Sequence, residues 1–430
     1  MVKSAEKAPT FYPETLEAEL KRCPGKGRWV VGFSGGADST ALLLALKKLN
    51  GLGREILAVH VHHALQAEAT QWAKACADFA NRLGVKFVCA HVQVEKAGKG
   101  LEAAAREARY AALAEHMHSH DVLLTAHHRR DQAETLLLQL LRGAGPAGMA
   151  SMSRYTPFGP GWHARPLLDC APESLRSWLR EQGIEWIEDP SNRSLEPRRN
   201  FLRHQILPVL QTRWPQMERQ LAAAADRQAE TQHLLHSLGS MDLLRCAGVE
   251  PATLQVSALL RLERLRLHNA IRSWLLDKGL PMPPAKRLQR LREDVLLASE
   301  DANPSLRWAG GEIRRYRDTL YAMPPLPPHD PALKILWRAG APAITLPPDG
   351  RLLGRDEIKT DLDSAWRDGM PVSVRFRTGG ERCRPAGSQQ RRELKKLFQE
   401  ASIPPWRRDR IPLLYIGERL IEVIDYYTCA

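Results

Sequence analysis

The chain contains 430 residues, of which 43% are hydrophobic and 26% are charged, and its formal net charge is +13. This length exceeds one hydrophobic core, so we expect two to four domains, and the ordinary composition excludes a disordered or fibrous protein. No apolar run is long enough to span a bilayer, and the N-terminal segment lacks the apolar core of a secretory signal. We therefore expect a cytoplasmic protein without membrane contact. The positive charge favours a polyanionic partner.

Short apolar runs alternate with helical patterns through the first third of the chain. Strands are predicted at 28–33, 55–61, 85–94 and 121–126, and helices at 39–49, 66–83, 101–116 and 131–141. This alternation predicts an α/β fold with a parallel sheet that helices cover on both faces. In such sheets ligands bind at the carboxyl ends of the strands.

The rest of the chain has a looser pattern without internal repeats. Its predicted features are a helix at 172–182, a long helix at 215–238, a helical module with a short strand pattern from 254, a proline-rich linker at 323–333, and an α+β unit with a basic helix at 391–400. The predicted domains are a catalytic domain at 1–215, a linker helix at 216–240, a mainly helical substrate-binding domain at 241–325, and a C-terminal domain at 343–430.

Seven cysteines are scattered along the chain without a C-x-x-C pair. An odd number at irregular spacing favours neither a disulfide framework nor a cysteine zinc site. We expect most of them to be small core residues with reduced thiols. The seven are Cys23, Cys76, Cys89, Cys170, Cys246, Cys383 and Cys429.

The strongest local signal is the loop at 34–39, between the first predicted strand and the first predicted helix. Its paired glycines let backbone N–H groups approach phosphate oxygens, and the helix N-terminus adds partial positive charge. The loop has neither the lysine of a Walker A motif nor the G-x-G-x-x-G spacing of dinucleotide sites. An alternative for Asp38 is that it only caps the following helix. The residues expected to bind the nucleotide are Ser34, Gly35, Gly36, Ala37, Asp38 and Ser39.

Four further segments carry ionisable groups. In the second, Arg106 and Arg109 are three apart on one helical face and suit an anionic ligand, with salt bridges to neighbouring glutamates as the alternative. In the third, His128 and Asp131 follow the fourth strand, where a general base or metal ligand is useful. The segments are VHVHHAL at 59–65, GLEAAAREARY at 100–110, AHHRRDQAET at 126–135, and WIEDPSN at 186–192 followed by RNFLR at 199–203.

The S-G-G-x-D-S loop resembles the PP-loop of ATP pyrophosphatases, which cleave ATP between the α and β phosphates and transfer AMP to an acceptor. The four segments, in this order after the loop, closely resemble the tRNA(Ile)-lysidine synthetase family. The resemblance continues through RRYRDTLY at 314–321 to LKKLFQEASIPPWRR at 394–408. It implies ATP as a substrate and Mg²⁺ bound with the help of Asp38. The predicted catalytic residues are Asp38, Arg106, Arg109, His128 and Asp131.

The implied reaction modifies the isoleucine tRNA that carries a CAU anticodon. ATP adenylates the carbon-2 oxygen of the wobble cytidine, and free L-lysine then displaces AMP to give lysidine. The lysine amine must lose a proton, and Asp131 and His128 are the first residues to consider for that role. The family usually has Asp where this chain has Arg130, so any role of that Asp must fall to Asp131 or be dispensable.

Basic residues are concentrated near the C-terminus. The window at 371–410 contains eleven Arg or Lys and four Asp or Glu, which is +7 of the total +13. Such an excess favours contact with a phosphate backbone. The residues predicted to bind the acceptor end of the tRNA are Arg391, Arg392, Lys395 and Lys396.

Two other functions fit the nucleotide loop. One is a PP-loop tRNA thiolase, an enzyme type that typically carries paired cysteines, which this chain lacks. The other is a catalytically silent nucleotide- and RNA-binding protein, which the unusual Arg130 keeps open. The oligomeric state is open as well, with a homodimer as one alternative.

Overall fold

The computed structural model describes residues 11–63, 68–93, 100–299, 302–348 and 350–429. Residues 64–67, which include the end of VHVHHAL and the start of the helix predicted at 66–83, lie outside the described residues, as does residue 94 of the third predicted strand. The chain divides into two compact units, one through residue 234 and the other from residue 235. In the described residues no helix is both long and apolar enough to cross a membrane.

The first unit is built on a six-stranded sheet. Its strands are β1 (Trp29–Gly32), β2 (Ile56–His62), β3 (Lys86–His91), β4 (Val122–Leu124), β5 (Tyr155–Phe158) and β6 (Gly161–Ala164). The strand order is β3-β2-β1-β4-β6-β5, in which every neighbouring pair is parallel except β5 with β6. The predicted α/β fold with a parallel sheet is confirmed, while the hairpin of β5 and β6 was not predicted.

Helices cover this sheet on both faces. On one face lie α1 (Glu14–Arg22), α2 (Ala37–Lys48), α3 (Ala69–Arg82) and α7 (Pro172–Glu181), and on the other lies α4 (Leu101–Glu115). The remaining helices that begin in this unit are α5 (Arg129–Leu141), α6 (Pro146–Met149), α8 (Arg198–Phe201), α9 (Leu207–Arg213) and α10 (Met217–Arg245). Single helical turns lie at 50–53, 190–193 and 202–206.

The alternation of side chains along β1 explains the two layers. Val31 packs into a core with Leu42 of α2, whereas its neighbour Val30 packs into a second core with Leu113 of α4. Successive residues of a strand point to opposite faces, so a strand buried on both sides must be apolar throughout. This geometry places the loop after β1 at the carboxyl edge of the sheet, between the two helical layers.

The second unit begins with helices that pack on a small antiparallel sheet. The helices are α11 (Val256–Leu260), α12 (Arg264–Asp277) and α13 (Ala285–Leu291), with a further turn at 292–296, and the strands are β7 (Leu254–Gln255), β8 (Ser305–Trp308), β9 (Gly311–Tyr316) and β10 (Thr319–Met323). The order β7-β10-β9-β8 encloses one core with the helices. The short strand pattern predicted here is therefore a four-stranded sheet.

The C-terminal part of the second unit is mostly β-structure. Its strands are β11 (Lys334–Trp337), β12 (Ala343–Leu346), β13 (Arg351–Gly354), β14 (Val372–Arg375), β15 (Arg382–Cys383), β16 (Arg392–Glu393), β17 (Leu413–Ile416), β18 (Arg419–Val423) and β19 (Tyr427–Thr428), and its helices are α14 (Leu362–Arg367), α15 (Leu394–Glu400) and α16 (Pro405–Arg408), with a helical turn at 355–357. The main sheet has the order β11-β14-β17-β18-β19. The basic helix predicted at 391–400 begins only at Leu394, because the two preceding residues pair with β15.

Two cysteines depart from the prediction of reduced thiols. Cys383 and Cys429 form a disulfide between residues that are 46 positions apart. Both lie in the buried core of the C-terminal part, where folding brings β15 and the chain end together. The other five cysteines are free, as predicted.

Candidate active site

The loop after β1 has the geometry that a phosphate-binding loop requires. Gly35 adopts a φ of +81°, and a side chain at this position would come within 2.6 Å of Ile187 Cδ1 and 2.7 Å of Cys76 Sγ. The Ile187 N–H donates to the Gly35 carbonyl at 2.9 Å. Only glycine fits this strained and crowded position, so the segment around Ile187 fixes the bend of the loop.

Hydroxyl groups hold the loop against the start of α2. Ser34 Oγ lies 3.0 Å from Ser39 Oγ, and the Thr40 hydroxyl donates to the Gly35 carbonyl at 3.2 Å. Gly36 is the N-cap of α2 and provides no side-chain cap. The first N–H groups of the helix are thus directed toward the loop, where an anion would complete their hydrogen bonds.

Asp38 lies inside the first turn of α2, because the helix begins at Ala37 and not at Ser39 as predicted. It therefore does not cap the helix, and its Oδ1 atom has no hydrogen-bond partner in the described structure. Partial burial raises the pKa of the Asp38 carboxyl, and the nearby His128 opposes this shift. A buried carboxylate oxygen without a hydrogen-bond partner is costly unless it has a function.

His128 and Asp131 form a reciprocal cap at the start of α5. The His128 backbone N–H donates to Asp131 Oδ2 at 3.0 Å, and the Asp131 backbone N–H donates to His128 Nδ1 at 3.3 Å. Since Nδ1 accepts this hydrogen bond, a neutral His128 carries its proton on Nε2. That atom lies 3.6 Å from Asp38 Oδ2. The structure thus brings Asp38, His128 and Asp131 together, with the N–H of His128 directed toward Asp38.

Two arginines that follow the WIEDPSN segment complete the buried part of the site. Arg199 and Arg203 both bind Asp131 Oδ1, at 3.0 and 2.9 Å, and both bind the carboxylate of Glu134 at 2.6 Å. The Glu134 side chain is fully buried. Burial alone would raise the pKa of Asp131, but His128 and Arg199 outweigh it and hold that pKa well below its usual range.

Neither arginine was predicted to have a role, although their spacing carried a signal. Arg199 and Arg203 are four residues apart, a spacing that places them on one helical face. Without a structure, their carboxylate partners could not be assigned.

Arg130 turns away from the nucleotide loop. Its Nε lies 2.5 Å from Glu218 of α10, and its terminal nitrogen pairs with Glu173 of α7. In this chain the residue therefore joins three helices. It adds no ligand to the group of Asp38, His128 and Asp131.

The predicted pair on α4 lies near a group of histidines. Arg109 Nε donates to His63 at 3.5 Å, and Arg106 stacks over the Tyr110 ring at 5.0 Å. Within the described residues no hydrogen bond or ion pair connects either arginine to Asp38. The side chain of Glu102, one of the expected salt-bridge partners, is not among the described side chains.

A hydroxyl joins two buried histidines beyond the end of β4. Thr125 Oγ1 lies 2.8 Å from both His127 Nδ1 and His163 Nε2. Burial lowers the pKa of His127 to about 3 and that of His163 to about 2, so both rings are neutral at physiological pH. This group was not predicted, because His163 lies on the unpredicted strand β6.

The residues predicted to bind tRNA lie in and before α15. Arg391, Lys395 and Lys396 are exposed, whereas Arg392 is half-buried and forms an ion pair with Glu400. Three of the four predicted side chains thus present their charge to solvent, and the fourth is engaged within the protein.

A parallel sheet with a glycine-rich anion loop after its first strand defines an ATP-binding protein of the PP-loop class. Three family models match the chain: a PP-loop domain at residues 11–210, a TilS substrate binding domain at 254–321 and a TilS substrate C-terminal domain at 372–430.

Proteins with similar sequences identify the family within this class. The chain is 44% identical to a tRNA(Ile)-lysidine synthase of Alkalilimnicola ehrlichii, over 98% of this chain and 94% of that protein. It is 42% identical to the enzyme of the same name in Methylococcus capsulatus, over 91% and 90% of the two chains, and 37% identical to that of Coxiella burnetii, over 97% and 93%. The chain belongs to the tRNA(Ile)-lysidine synthase family, as the resemblance of its motifs implied, and is an ATP-dependent ligase that modifies tRNA.

Proposed function

We propose that the protein joins free L-lysine to carbon 2 of the wobble cytidine in the CAU-anticodon isoleucine tRNA, with an adenylated cytidine as intermediate. The observation that carries this proposal is the Asp38 carboxylate beside the anion loop, whose Oδ1 has no hydrogen-bond partner in the described structure and whose Oδ2 lies 3.6 Å from His128 Nε2. ATP and tRNA are both cytoplasmic, so we assign the reaction to the cytoplasm.

The first step exchanges one bond to phosphorus for another. The carbon-2 oxygen of cytosine attacks the α-phosphorus of ATP, the bond to the β-phosphate breaks, and pyrophosphate leaves. The N–H groups of Gly36 and the first turn of α2 would hold the pyrophosphate, and Ser34 and Ser39 would donate hydroxyl hydrogen bonds. The anticodon base must leave its stack to react, which costs little in a single-stranded loop.

Asp38 is the residue that would hold Mg²⁺ together with the phosphates. The described residues contain no group of three His, Cys, Asp or Glu side chains that could bind a metal alone. This fits Mg²⁺, which usually takes one or two carboxylates and completes its ligands with phosphate oxygens and water. The ion would neutralise charge on the phosphates.

The second step releases AMP. The ε-amine of lysine attacks carbon 2, the bond from that carbon to the AMP oxygen breaks, and the proton that the amine loses passes to solvent water. The hydrogen bonding favours His128 as a donor toward a phosphate oxygen, because its Nδ1 already accepts a backbone N–H. Asp131 would orient His128 and would be a poor base, since its neighbours, including both arginines, lower its pKa and thereby make its carboxylate a weak proton acceptor.

Arg106 and Arg109 would bind an anion that approaches along α4. Their positions beside Tyr110 and His63 support contact with tRNA phosphate rather than a direct place in the cluster around Asp38. The exposed residues Arg391, Lys395 and Lys396 would bind the acceptor end of the tRNA. Arg392 would contribute less, because Glu400 already neutralises it.

A direct assay tests this proposal. Radiolabelled lysine, ATP and a transcript of the CAU isoleucine tRNA are incubated with the protein, and lysine incorporation and the nucleotide product are measured. We expect one AMP and one pyrophosphate for each lysine incorporated. ATP–pyrophosphate exchange with tRNA would also separate this enzyme from a silent binding protein, which gives none. Formation of ADP, or the absence of incorporation, would refute the proposal.

The oligomeric state has two alternatives, monomer and homodimer. Light scattering of the protein with its tRNA distinguishes them by mass.

A further inference from the structure

The second unit contains a basic cleft that has no part in the proposed reaction. The cleft has a volume of about 590 Å³, which is within the range of small-molecule sites. We call it the arginine cleft and define it by six of its lining residues, which are Arg307, Arg314, His329, Arg377, Trp406 and Arg410. They come from β8, β9, the proline-rich segment, the end of β14 and the region of α16.

Three buried nitrogen atoms in this cleft lack hydrogen-bond partners in the described structure. They are His329 Nε2, Arg377 Nε and Trp406 Nε1. The indole and guanidinium nitrogens can only donate hydrogen bonds. Buried donors without acceptors are rare in folded proteins, and two that line one cleft indicate a ligand with acceptor atoms. His329 Nε2 adds a third donor in the tautomer that carries its proton there.

The charges of the cleft favour an anion. Its lining contains four arginines and one carboxylate, Asp409, which pairs with Arg377 at 2.8 Å. Behind the lining, the buried Glu312 lies 2.9 Å from both Arg307 and Arg314. Glu381 Oε2, which is also buried and without a hydrogen-bond partner in the described structure, lies 3.9 Å from Arg377 Nε, so this nitrogen has a charge partner but no hydrogen bond. The four arginines therefore exceed these three carboxylates by one positive charge.

Contacts within the protein hold the donors in place. The Arg314 guanidinium stacks over the Trp406 ring at 5.2 Å, and Tyr321 packs edge-on against the same ring at 5.4 Å. Arg410 donates to the Pro327 carbonyl, and His329 packs edge-on against Phe376 at 4.6 Å. Prearranged donors lose little conformational entropy on binding, which is a property of binding sites more than of solvated surfaces.

We infer that the arginine cleft binds a phosphate monoester. A monoester has three terminal oxygens and a charge between −1 and −2 at neutral pH, so its oxygens can accept from the Trp406 indole and from more than one guanidinium at once. A phosphodiester offers only two free oxygens and one charge. The monoester can come from the 5′ end of an RNA or from a free mononucleotide. If the ligand is the 5′ end of an RNA, the inference rests on the tRNA-modifying function proposed above. If the ligand is a free mononucleotide, it does not.

Nuclear magnetic resonance of the full-length chain tests the site directly. The indole N–H signal of Trp406, one of eleven tryptophans, is assigned with Trp406→Phe and followed during titration with inorganic phosphate and with GMP. We expect this signal to shift and to saturate, and the shift to disappear in Arg377→Gln/Arg410→Gln. Arg375→Gln is the matched control, since Arg375 pairs with Glu418 outside the cleft. An unchanged Trp406 signal, or equal loss in the control, overturns the inference.

A second measurement needs no variant and identifies the source. The affinity of the protein for the tRNA transcript is compared with and without its 5′-phosphate. A loss of about tenfold on dephosphorylation would assign the cleft to the RNA end. Saturation by GMP without such a loss would assign it to a free nucleotide. The inference is overturned if dephosphorylation leaves the tRNA affinity unchanged, GMP does not saturate the signal, and inorganic phosphate causes no shift. Lysine incorporation tests the proposed function separately.

Discussion

The cluster beside the nucleotide loop and the basic surface near the C-terminus use charged side chains in opposite ways. Beside the loop, the carboxylates of Asp131 and Glu134 are buried, and each binds the same two guanidiniums. Near the C-terminus, Lys395 and Lys396 are exposed on a short helix. Buried pairs fix positions at a high desolvation cost, whereas exposed lysines attract a polyanion over a distance and remain sensitive to salt.

Under the function proposed above, this difference would let one chain combine precise chemistry with the binding of a large substrate. The paired charges of the first region leave one carboxylate, Asp38, with an unpartnered oxygen. The second region offers several similar charges, none of which has to be placed accurately. A substitution in the first region should therefore change rate or stability sharply, and one in the second should change affinity gradually.

The largest effect is expected at Asp38. We predict that Asp38→Ala lowers lysine incorporation about 1,000-fold, because charge on the phosphates loses its stabilisation. The thermal unfolding midpoint should not fall, since Asp38 Oδ1 makes no hydrogen bond that the substitution could remove. Asp78→Ala, at an exposed position of α3, is the control and should keep full activity. Residual activity within tenfold of wild type would contradict this role.

Breaking the buried pairs should mainly affect stability. We predict that Glu134→Gln lowers the free energy of unfolding by about 3 kcal/mol, because two guanidiniums lose a fully buried carboxylate partner. Glu173→Gln, which removes a half-exposed partner of Arg130, should cost less than about 1 kcal/mol. Urea unfolding of the two variants measures the difference. If both substitutions lower the free energy of unfolding by the same amount, burial does not distinguish the two sets of ion pairs.

The exposed region should respond through affinity and salt dependence. We predict that Lys395→Glu/Lys396→Glu weakens tRNA binding about tenfold and reduces the slope of log affinity against log salt by about 2. Filter binding at several salt concentrations measures both quantities, and Lys74→Glu on the exposed side of α3 is the control. Unchanged binding would remove these two residues from the tRNA surface.

The smallest effect concerns the buried histidines. The pKa of His163 falls to about 2 on folding. Near pH 6.5 the unfolded chain therefore binds a proton at this residue that the folded protein does not bind. The contribution of His163 to the free energy of unfolding is therefore fully present above pH 6.5. Below pH 6.5 this contribution falls by about 1.4 kcal/mol per pH unit. We predict that His163→Gln loses stability less steeply between pH 6.5 and 5 than wild type, as measured by urea unfolding. His118→Gln, at an exposed position, should keep the wild-type slope.

Features carried by local patterns could be predicted from the sequence. The apolar runs around Val30 and Val31 identified a strand buried on both faces, and the glycines after it identified the anion loop. The hairpin of β5 and β6 was missed because its strands are short and contain Gly, Pro and His. Start positions of helices were also displaced, as at Ala37, because the capping residue there is a glycine without a side-chain signal.

Long-range contacts in the candidate site were beyond the sequence. His128 and Asp131 could be grouped, since a reciprocal cap spans only three residues. The partners of Arg199 lie more than sixty positions away, and no periodicity connects them. The same holds for the disulfide of Cys383 and Cys429, whose contact depends on how the C-terminal strands fold together.

The contacts of Arg130 link the charge at one position to the charges at two others. An acidic side chain at position 130 would leave Glu173 and Glu218 without the cation that they now share and would add a third negative charge near them. Like charges repel one another, so Arg130→Asp alone should weaken the packing of α5 with α7 and α10. Neutral residues in place of Glu173 and Glu218 should lessen that loss.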